Sequence, residues 1–220
     1  MSLWIKICGN TSLEDAMMAV LAGADAVGFV FAPSPRHVTV EQVAAIVPYL
    51  PASVEKIGVF VDASLDEIVA AVEACGLTGV QLHFAAEPEM PAQLRARLGS
   101  EVRILRVVHF GADAAEQAAV IAQNPHVDAV LVDSRTTLAE GGTGVAFDWA
   151  EARLRLFQNL EARKRFIAAG GLTPANVAEA IVMLRPWGVD AVSGVEAGSG
   201  RKDPAKVRAF MTNARAVAGD

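Results

Sequence analysis

The sequence predicts a single α/β domain over residues 1–220, a (β/α)8 TIM barrel with eight parallel strands. Three observations predict it: short apolar runs recur along the chain, helix signals lie between them, and eight such units fit into 220 residues. Repeated strand–helix units build parallel sheets, and eight of them close into a barrel. An open, doubly wound sheet is the alternative, but it would rarely need eight units at this length.

The predicted strands are short and rich in Val, Ile, Leu and Phe. Their apolarity is nearly continuous rather than alternating, which is typical of parallel strands covered on both faces. In a barrel the residues just after each run face one shared mouth, where the active site lies. The runs are 3–8, 26–31, 56–61, 79–83, 102–108, 129–133, 165–169 and 190–194.

Helix starts are predicted between the runs by capping patterns. Residues 12–15, 39–42 and 64–67 each have a hydroxyl followed three residues later by a carboxylate or an amide, the pattern of a capping box. Residues 173–177 and 203–207 each have a capping residue just before a proline, which suits the first helical turn. These signals supply the helices that a barrel needs between its strands.

Composition excludes several classes of function. The formal net charge is −6, and no basic arm or stripe is present, so nucleic acid is not an expected partner. No apolar run approaches 18 residues, so we expect no membrane span. The first residues lack a basic segment followed by an apolar one, so we expect no secretion signal.

The cysteine and histidine counts indicate a reduced chain without a metal. Two cysteines, Cys8 and Cys75, imply no disulfide framework, and a cytoplasmic location fits them. The four histidines are scattered, and no Cys/His cluster has metal-ligand spacing, so we expect no metal and no other cofactor. Cys75 ends an amphipathic stretch before a glycine, and we expect it to pack in the core.

Two glycine loops follow the predicted seventh and eighth strands, at 168–177 and 193–203. Glycine lets a ligand approach the backbone, and helix N-termini favour anions. Either loop taken alone also fits an ordinary turn. Their joint position favours a phosphate site, because barrels often bind phosphate there. Residues 140–149 fit a third anion-facing loop or a flexible lid.

Four residues at strand ends, or in the loop that follows a strand, are candidates for chemistry. Cys8 ends the first run with Lys6 two residues before it, so a cation shares its face, and such a thiol can lose its proton near neutral pH. Asp133 ends the sixth run and suits a general acid. Arg36 lies in a proline-stiffened loop and can bind an anion. His83 ends the fourth run and can help to position a ligand. Taken singly, the first three also fit an apolar filler, a salt-bridge partner and a solvent-exposed side chain.

Eight segments together resemble the phosphoribosylanthranilate isomerase family of tryptophan biosynthesis. Their order along the chain is the specific feature, and the resemblance runs from the first strand to the last helix. The segments are KICGNTSLEDA (6–16), FAPSPRHV (31–38), GVFVD (58–62), VQLH (80–83), LVDS (131–134), GGTGVAFDW (141–149), AAGGLTPANV (168–177) and SGVEAGSGRKDPAKV (193–207).

The resemblance implies an Amadori rearrangement without a cofactor. N-(5-phosphoribosyl)anthranilate would become 1-(2-carboxyphenylamino)-1-deoxyribulose 5-phosphate. By resemblance, Cys8 is the general base, Asp133 is the general acid and Arg36 meets the anthranilate carboxylate. The implied phosphate-binding residues are Gly144, Gly171, Ser193 and Gly194.

Two positions depart from the family pattern, and two other functions remain as alternatives. Phe84 follows His83 where the family usually has glycine, and Val192 stands where a serine is common, so we expect effects on substrate affinity rather than on reaction type. A sugar-phosphate isomerase barrel of the histidine-pathway type is one alternative, although Cys8 argues against its paired aspartates. A non-catalytic phosphate-binding barrel is the other. Monomer and homodimer both fit the sequence.

Overall fold

A closed barrel of eight parallel strands forms the centre of the protein. The computed structural model describes residues 3–83, 88–133, 149–154 and 164–217. Each strand pairs with the next in chain order, and the eighth pairs with the first, from Trp4 opposite Gly188 to Ile7 opposite Ala191. Closure confirms the predicted barrel and rules out the open sheet.

The first seven strands match the predicted runs to within one residue at each end. The eighth prediction, 190–194, is wrong at both ends: the strand begins at Gly188, and Val192, with φ −124° and ψ −91°, has left the strand conformation. The barrel strands are β1 (Trp4–Ile7), β2 (Ala26–Val30), β3 (Glu55–Val61), β4 (Gly79–His83), β5 (Arg103–His109), β6 (Ala129–Asp133), β7 (Arg165–Ala169) and β8 (Gly188–Ala191).

After β8 the chain forms a short 3-10 turn, Ser193–Val195, and then a small antiparallel pair that the sequence did not predict. The pair consists of β9 (Glu196–Gly198) and β10 (Arg201–Lys202). Asp15 ties this pair to the first helix, because its Oδ1 accepts a hydrogen bond of 3.2 Å from the Lys202 backbone. The added pair brings Glu196 and Lys202 over the mouth of the barrel.

Helices lie between consecutive strands in the described ranges. They are α1 (Leu13–Leu21), α2 (Val40–Ile46), α3 (Leu65–Cys75), α4 (Met90–Leu98), α5 (Ala114–Gln123), α6 (Trp149–Ala152), α7 (Val177–Leu184) and α8 (Pro204–Val217). In the described part of the chain, no helix combines the length and the apolar character needed to cross a membrane.

Most of the predicted caps are present. Thr39 and Ser64 form reciprocal capping boxes with Gln42 and Glu67, as predicted. Ser12 accepts from the Asp15 backbone at 3.1 Å, but the return bond is missing because the Asp15 carboxylate turns to β10.

The two predicted proline starts differ. Asp203 Oδ1 accepts from the backbones of Ala205 and Lys206, so α8 begins at Pro204 as predicted. The predicted start at Thr173 is wrong: residues 174–176 form a turn, and α7 begins at Val177.

Side-chain alternation decides which strand residues enter the barrel. The barrel interior is an apolar cluster separate from the larger layer between strands and helices; its buried members are Trp4, Ala26, Ile57, Leu105, Val107, Ala129, Leu131, Ile167 and Ala169. Residues two apart on a strand share a face. Because Trp4 and Leu131 point inward, Cys8 directly after β1 and Asp133 at the end of β6 point inward as well. The apolar interior therefore ends in polar groups at the carboxyl ends of the strands.

Candidate active site

A cavity of about 230 Å³ opens at the carboxyl ends of the strands. All of the predicted site residues within the described ranges line it; they are Cys8, Arg36, His83, Asp133, Gly171, Ser193 and Gly194. Gly144 and Phe84 lie outside the described residues. One barrel mouth thus gathers side chains from loops and strands far apart in the sequence.

Cys8 is buried directly after β1, with 3% of its surface exposed. Its backbone nitrogen donates to Ala191 of β8 at 2.9 Å, which fixes the base of the side chain. On the neighbouring strand β2, a Cβ added to Gly28 would lie 2.4 Å from the Cys8 sulfur. Only glycine at that position leaves room for the thiol, and sequence reasoning missed this requirement.

The protonation of Cys8 differs from the expectation of an easily lost proton. Burial raises the pKa of the Cys8 thiol, the Asp190 carboxylate adds to the increase, and the ammonium groups of Lys6 and Lys202 act in the opposite direction. The cation predicted from the sequence is present, but desolvation outweighs it. The thiol therefore holds its proton more tightly than an ordinary cysteine does.

A buried polar network lies beneath Cys8 inside the barrel. Lys6 Nζ donates to Gln81 Oε1 at 2.5 Å and to Asp190 Oδ2 at 3.0 Å. Burial acts to lower the pKa of Lys6, but Asp190 and Cys8 outweigh it and raise the pKa. Because Gln81 uses its oxygen for Lys6, its amide nitrogen donates to His83 Nε2 at 3.0 Å. The network links β1, β4 and β8.

Asp133 completes β6; the residue is 4% exposed and lines the cavity. Its backbone oxygen accepts from Phe110 at 2.9 Å, and it is in register with His109 of β5. These backbone contacts fix where the carboxyl group enters the barrel mouth. Cys8 and Asp133 thus belong to different strands but line the same cavity.

Arg36 forms an ion pair with Glu196, a residue that the sequence did not indicate as part of the site. Its Nε donates to Glu196 Oε1 at 2.8 Å and its Nη2 donates to Glu196 Oε2 at 2.7 Å, a bidentate pair. The Arg36 backbone nitrogen also donates to Ser34 Oγ at 2.8 Å. A Cβ on Gly9 would lie 2.7 Å from Arg36 Cδ, so the side chain lies close over the β1–α1 loop.

Lys202 of β10 extends this ion pair into a triad. Its buried Nζ donates to Glu196 Oε1 at 3.1 Å and to the Val192 backbone oxygen at 3.3 Å. Burial acts to raise the pKa of Glu196, but Arg36 and Lys202 outweigh it and lower the pKa. Two cations around one carboxylate leave this side of the mouth with a net positive charge, which suits an anionic ligand.

The loops after β7 and β8 touch each other. A Cβ on Gly194 would lie only 1.9 Å from the Leu172 backbone oxygen, so no larger residue fits there. Gly171 has φ +64°, and no atom lies within 4 Å of its Cβ position, so its backbone faces open space. Asn176 fixes the loop by donating to the Gly171 oxygen at 3.1 Å and accepting from Thr173 at 2.7 Å. The contact makes one joint glycine-lined wall of the cavity.

Sequence reasoning missed Gln81, Asp190, Gly28 and Glu196. Alternation from His83 could have placed Gln81 on an inward face. The inward position of Asp190 follows from its register with Lys6 across the β1–β8 pair, which the sequence does not show. Gly28 and Glu196 carried no local signal, because their roles depend on contacts with residues distant in sequence. Among the described residues, no group of three or more His, Cys, Asp or Glu side chains is arranged to hold a metal ion.

Comparison with known proteins relates this chain to one family. A family model described as N-(5'phosphoribosyl)anthranilate (PRA) isomerase matches residues 5–213. A relative from Citrifermentans bemidjiense, named N-(5'-phosphoribosyl)anthranilate isomerase, is 42% identical over 97% of this chain and 98% of its own length.

Solved structures agree in fold and sequence. A phosphoribosyl anthranilate isomerase in complex with reduced 1-(o-carboxyphenylamino)-1-deoxyribulose 5-phosphate superposes with a TM-score of 0.80 at 32% identity, covering 97% of this chain and 99% of that one. Monomers generated from the dimeric phosphoribosylanthranilate isomerase of Thermotoga maritima give a TM-score of 0.81 at 33% identity, with coverage of 97% and 99%.

Proposed function

The chain belongs to the N-(5'-phosphoribosyl)anthranilate isomerase family, and from that premise we propose that Cys8 and Asp133 carry out the proton transfers of its reaction. The enzyme isomerises the phosphoribosylated aminoaldose of tryptophan biosynthesis to the corresponding ketose. The observation that carries the proposal is that a thiol and a carboxyl group line one cavity together with a glycine-lined wall.

Asp133 is the acid of the first step. Ring opening breaks the bond between C1′ and the ring oxygen, and the leaving oxygen takes the Asp133 proton while the nitrogen lone pair forms a C1′=N bond. The product is a protonated Schiff base with an open-chain sugar. A carboxyl group in a half-enclosed cavity suits this donation, which a general acid typically accelerates about 10²–10⁴-fold.

Cys8 is the base of the second step. Its thiolate takes the proton on C2′, and the electrons of that C–H bond form C1′=C2′ while the C1′=N electrons return to nitrogen. The resulting enol becomes the ketone when C1′ gains a proton and the 2′ oxygen loses one. Two nearby ammonium groups, Lys6 and Lys202, stabilise the thiolate against burial during this step.

The two charged ends of the substrate match the two walls of the cavity. Gly171, Ser193 and Gly194 form the phosphate subsite, with Gly144 as a further predicted member. Glu196 accepts one hydrogen bond each from Nε and Nη2 of Arg36, so the two N–H groups of Nη1 and the second of Nη2 are left to meet the anthranilate carboxylate. The glycine-lined wall thus holds one end of the substrate and Arg36 holds the other.

The chain as a whole is proposed as a single-domain cytoplasmic enzyme that acts without a cofactor, as a monomer or a homodimer. Its partner is the phosphorylated small-molecule substrate. Among relatives, a dimeric enzyme and monomers generated from it are both represented.

Turnover by the purified protein tests the function. Phosphoribosylanthranilate made in situ should be consumed, which the loss of its fluorescence records, and the histidine-pathway aminoaldose should be left unchanged. A folded protein that binds the reduced product analogue without consuming substrate would indicate a non-catalytic barrel. Turnover of the histidine-pathway aminoaldose alone would instead indicate a sugar-phosphate isomerase of the histidine-pathway type.

A further inference from the structure

We propose that Asp190 is a further substrate-binding residue, whose Oδ1 accepts a hydrogen bond from a hydroxyl of the open-chain sugar. The inference rests on the proposed function, because it names an additional contact to the same substrate. Neither the resemblance nor the strand-end pattern singled this residue out. Two observations carry it: Asp190 lines the cavity, and one of its two carboxylate oxygens has no partner.

The position of Asp190 is fixed from two sides. It lies on β8 in register with Lys6 of β1, and both side chains point into the barrel. Its Oδ2 accepts from Lys6 Nζ at 3.0 Å, with the two side chains 5% and 0% exposed. This ion pair fixes the orientation of the carboxylate plane.

The other oxygen, Oδ1, is buried and has no hydrogen-bond partner in the described part of the chain. A buried carboxylate oxygen without a donor costs free energy, so buried polar groups are nearly always paired. The residue nevertheless lines the cavity that holds Cys8 and Asp133. A donor supplied by a bound ligand would complete it.

The chemistry of the substrate limits which of its groups can donate a hydrogen bond to Asp190 Oδ1. A carboxylate repels both the phosphate and the anthranilate carboxylate of the substrate, so neither end of the substrate can face Asp190. The donors that remain are the hydroxyls of the sugar chain and the aniline N–H. Lys6 precedes Cys8 by two residues on the same face, so its partner Asp190 lies one step deeper in the barrel than the thiol. That depth faces the sugar carbons between the two charged ends, where the hydroxyls are.

Binding of the reduced product analogue, 1-(o-carboxyphenylamino)-1-deoxyribulose 5-phosphate, measured by calorimetry tests the proposal. Asp190→Asn keeps the shape but loses the charged acceptor, and the affinity for the analogue should fall about 10- to 100-fold, the range for a hydrogen bond to a charged group. Affinity for inorganic phosphate alone should not fall, because a carboxylate accepts hydrogen bonds and repels phosphate rather than binding it.

The matched control is Asp25→Asn. Asp25 also pairs with a cation, Arg215 at 2.7 Å, and also accepts a backbone hydrogen bond, from Ile5 at 2.7 Å, but it lies at the other end of the barrel. This variant should bind the analogue and phosphate as the wild type does. If Asp190→Asn does not fold because Lys6 is left without its counter-ion, the double variant Lys6→Met, Asp190→Asn removes that charge and should show the same loss of analogue affinity.

Two results would overturn the inference. Unchanged analogue affinity in a folded Asp190→Asn protein would mean that Oδ1 meets only water and that the Lys6 pair is structural. An equal loss of phosphate affinity would mean that the whole cavity is disturbed. Failure of the proposed function gives a different pattern, because the wild-type protein itself would then neither bind the analogue nor turn over substrate.

Discussion

The ion pairs beside the cavity and those at the amino end of the barrel differ in how far they are buried. Beside the cavity, four charged residues that form ion pairs are almost fully buried; they are Lys6, Asp190, Glu196 and Lys202. At the amino end, ion pairs stay partly hydrated. Arg103 and Glu55 are joined at 2.7 Å with side chains 22% and 25% exposed, and Arg215 and Asp25 are 35% and 37% exposed.

The difference separates stability from function. A partly exposed ion pair costs little desolvation and contributes about 0–1 kcal/mol to stability. A buried pair carries a desolvation penalty that its attraction barely offsets, and an apolar pair of the same volume is often as stable. These buried charges are therefore poorly explained by stability alone. Asp190 lines the cavity, and the other three contact residues that line it. Substitutions at the two ends should consequently change different quantities.

The largest expected effect is that of Asp133→Asn at the carboxyl end. The amide cannot donate the proton that the leaving ring oxygen needs, so kcat should fall about 10²–10⁴-fold. Affinity for the reduced product analogue should stay within a few-fold of wild type. Fluorescence turnover and calorimetry measure the two quantities. Asp128→Asn, which changes an ion pair with Arg95 far from the cavity, is the matched control. Wild-type turnover in Asp133→Asn would remove this residue from the mechanism.

A methyl group added to Gly28 tests the space left for the thiol. Its Cβ would lie 2.4 Å from the Cys8 sulfur, so the sulfur must move in Gly28→Ala. Misplacing a reacting group by about 1 Å can cost about 10²-fold in rate, and we expect kcat to fall at least about tenfold. Gly198→Ala is the control, since nothing lies within 4 Å of its Cβ position. Equal kcat values in the two variants would show that the sulfur is free to relocate.

Glu196→Gln should act mainly on KM. The amide keeps one acceptor oxygen but loses the charge and one of the two hydrogen bonds to Arg36. The guanidinium is then no longer held toward the substrate carboxylate. We expect KM to rise about tenfold, the lower end of the effect of a hydrogen bond to a charged group, with kcat within a few-fold. Steady-state kinetics separate the two constants. A loss in kcat without a change in KM would contradict a positioning role for Glu196.

The smallest effect is expected at the amino end. Glu55→Gln removes the charge that Arg103 pairs with, at a site away from the cavity. Stability measured by urea unfolding should fall by about 1 kcal/mol or less. Both kcat and KM should equal those of wild type. A kinetic defect in this variant would mean that the two ends of the barrel are not functionally separate.

Much of the fold was predictable because the signals are local. Apolar runs of a few residues marked seven strands to within one residue, and capping boxes at Thr39 and Ser64 marked two helix starts. The eighth strand was misplaced because its apolar run continues past Ala191, whereas the backbone turns at Val192. Thr173 resembles a cap in sequence, but Asn176 binds its backbone and holds a turn there instead.

The candidate site was predictable where it depends on strand ends and not where it depends on distant contacts. Asp133 and His83 end their strands and Cys8 directly follows β1, so barrel topology alone brings them to one mouth. The hydrogen bonds between Glu196 and Arg36 join residues 160 positions apart. They depend on the β9–β10 pair, which no sequence pattern predicted. The protonation of Cys8 was misjudged for the same reason, because burial depends on the whole assembled barrel.

The pH dependence of kcat/KM, measured for wild type and for Cys8→Ala, tests the central claim most directly. Because burial raises the pKa of the Cys8 thiol, the thiolate fraction of the free enzyme is small at low pH and increases as pH rises through that pKa. We predict a kcat/KM that rises with pH to a midpoint above the ordinary thiol value, a loss of about 10²–10⁴-fold in Cys8→Ala and no change in Cys75→Ala. Near wild-type turnover by a folded Cys8→Ala protein would contradict the claim that this thiol is the base.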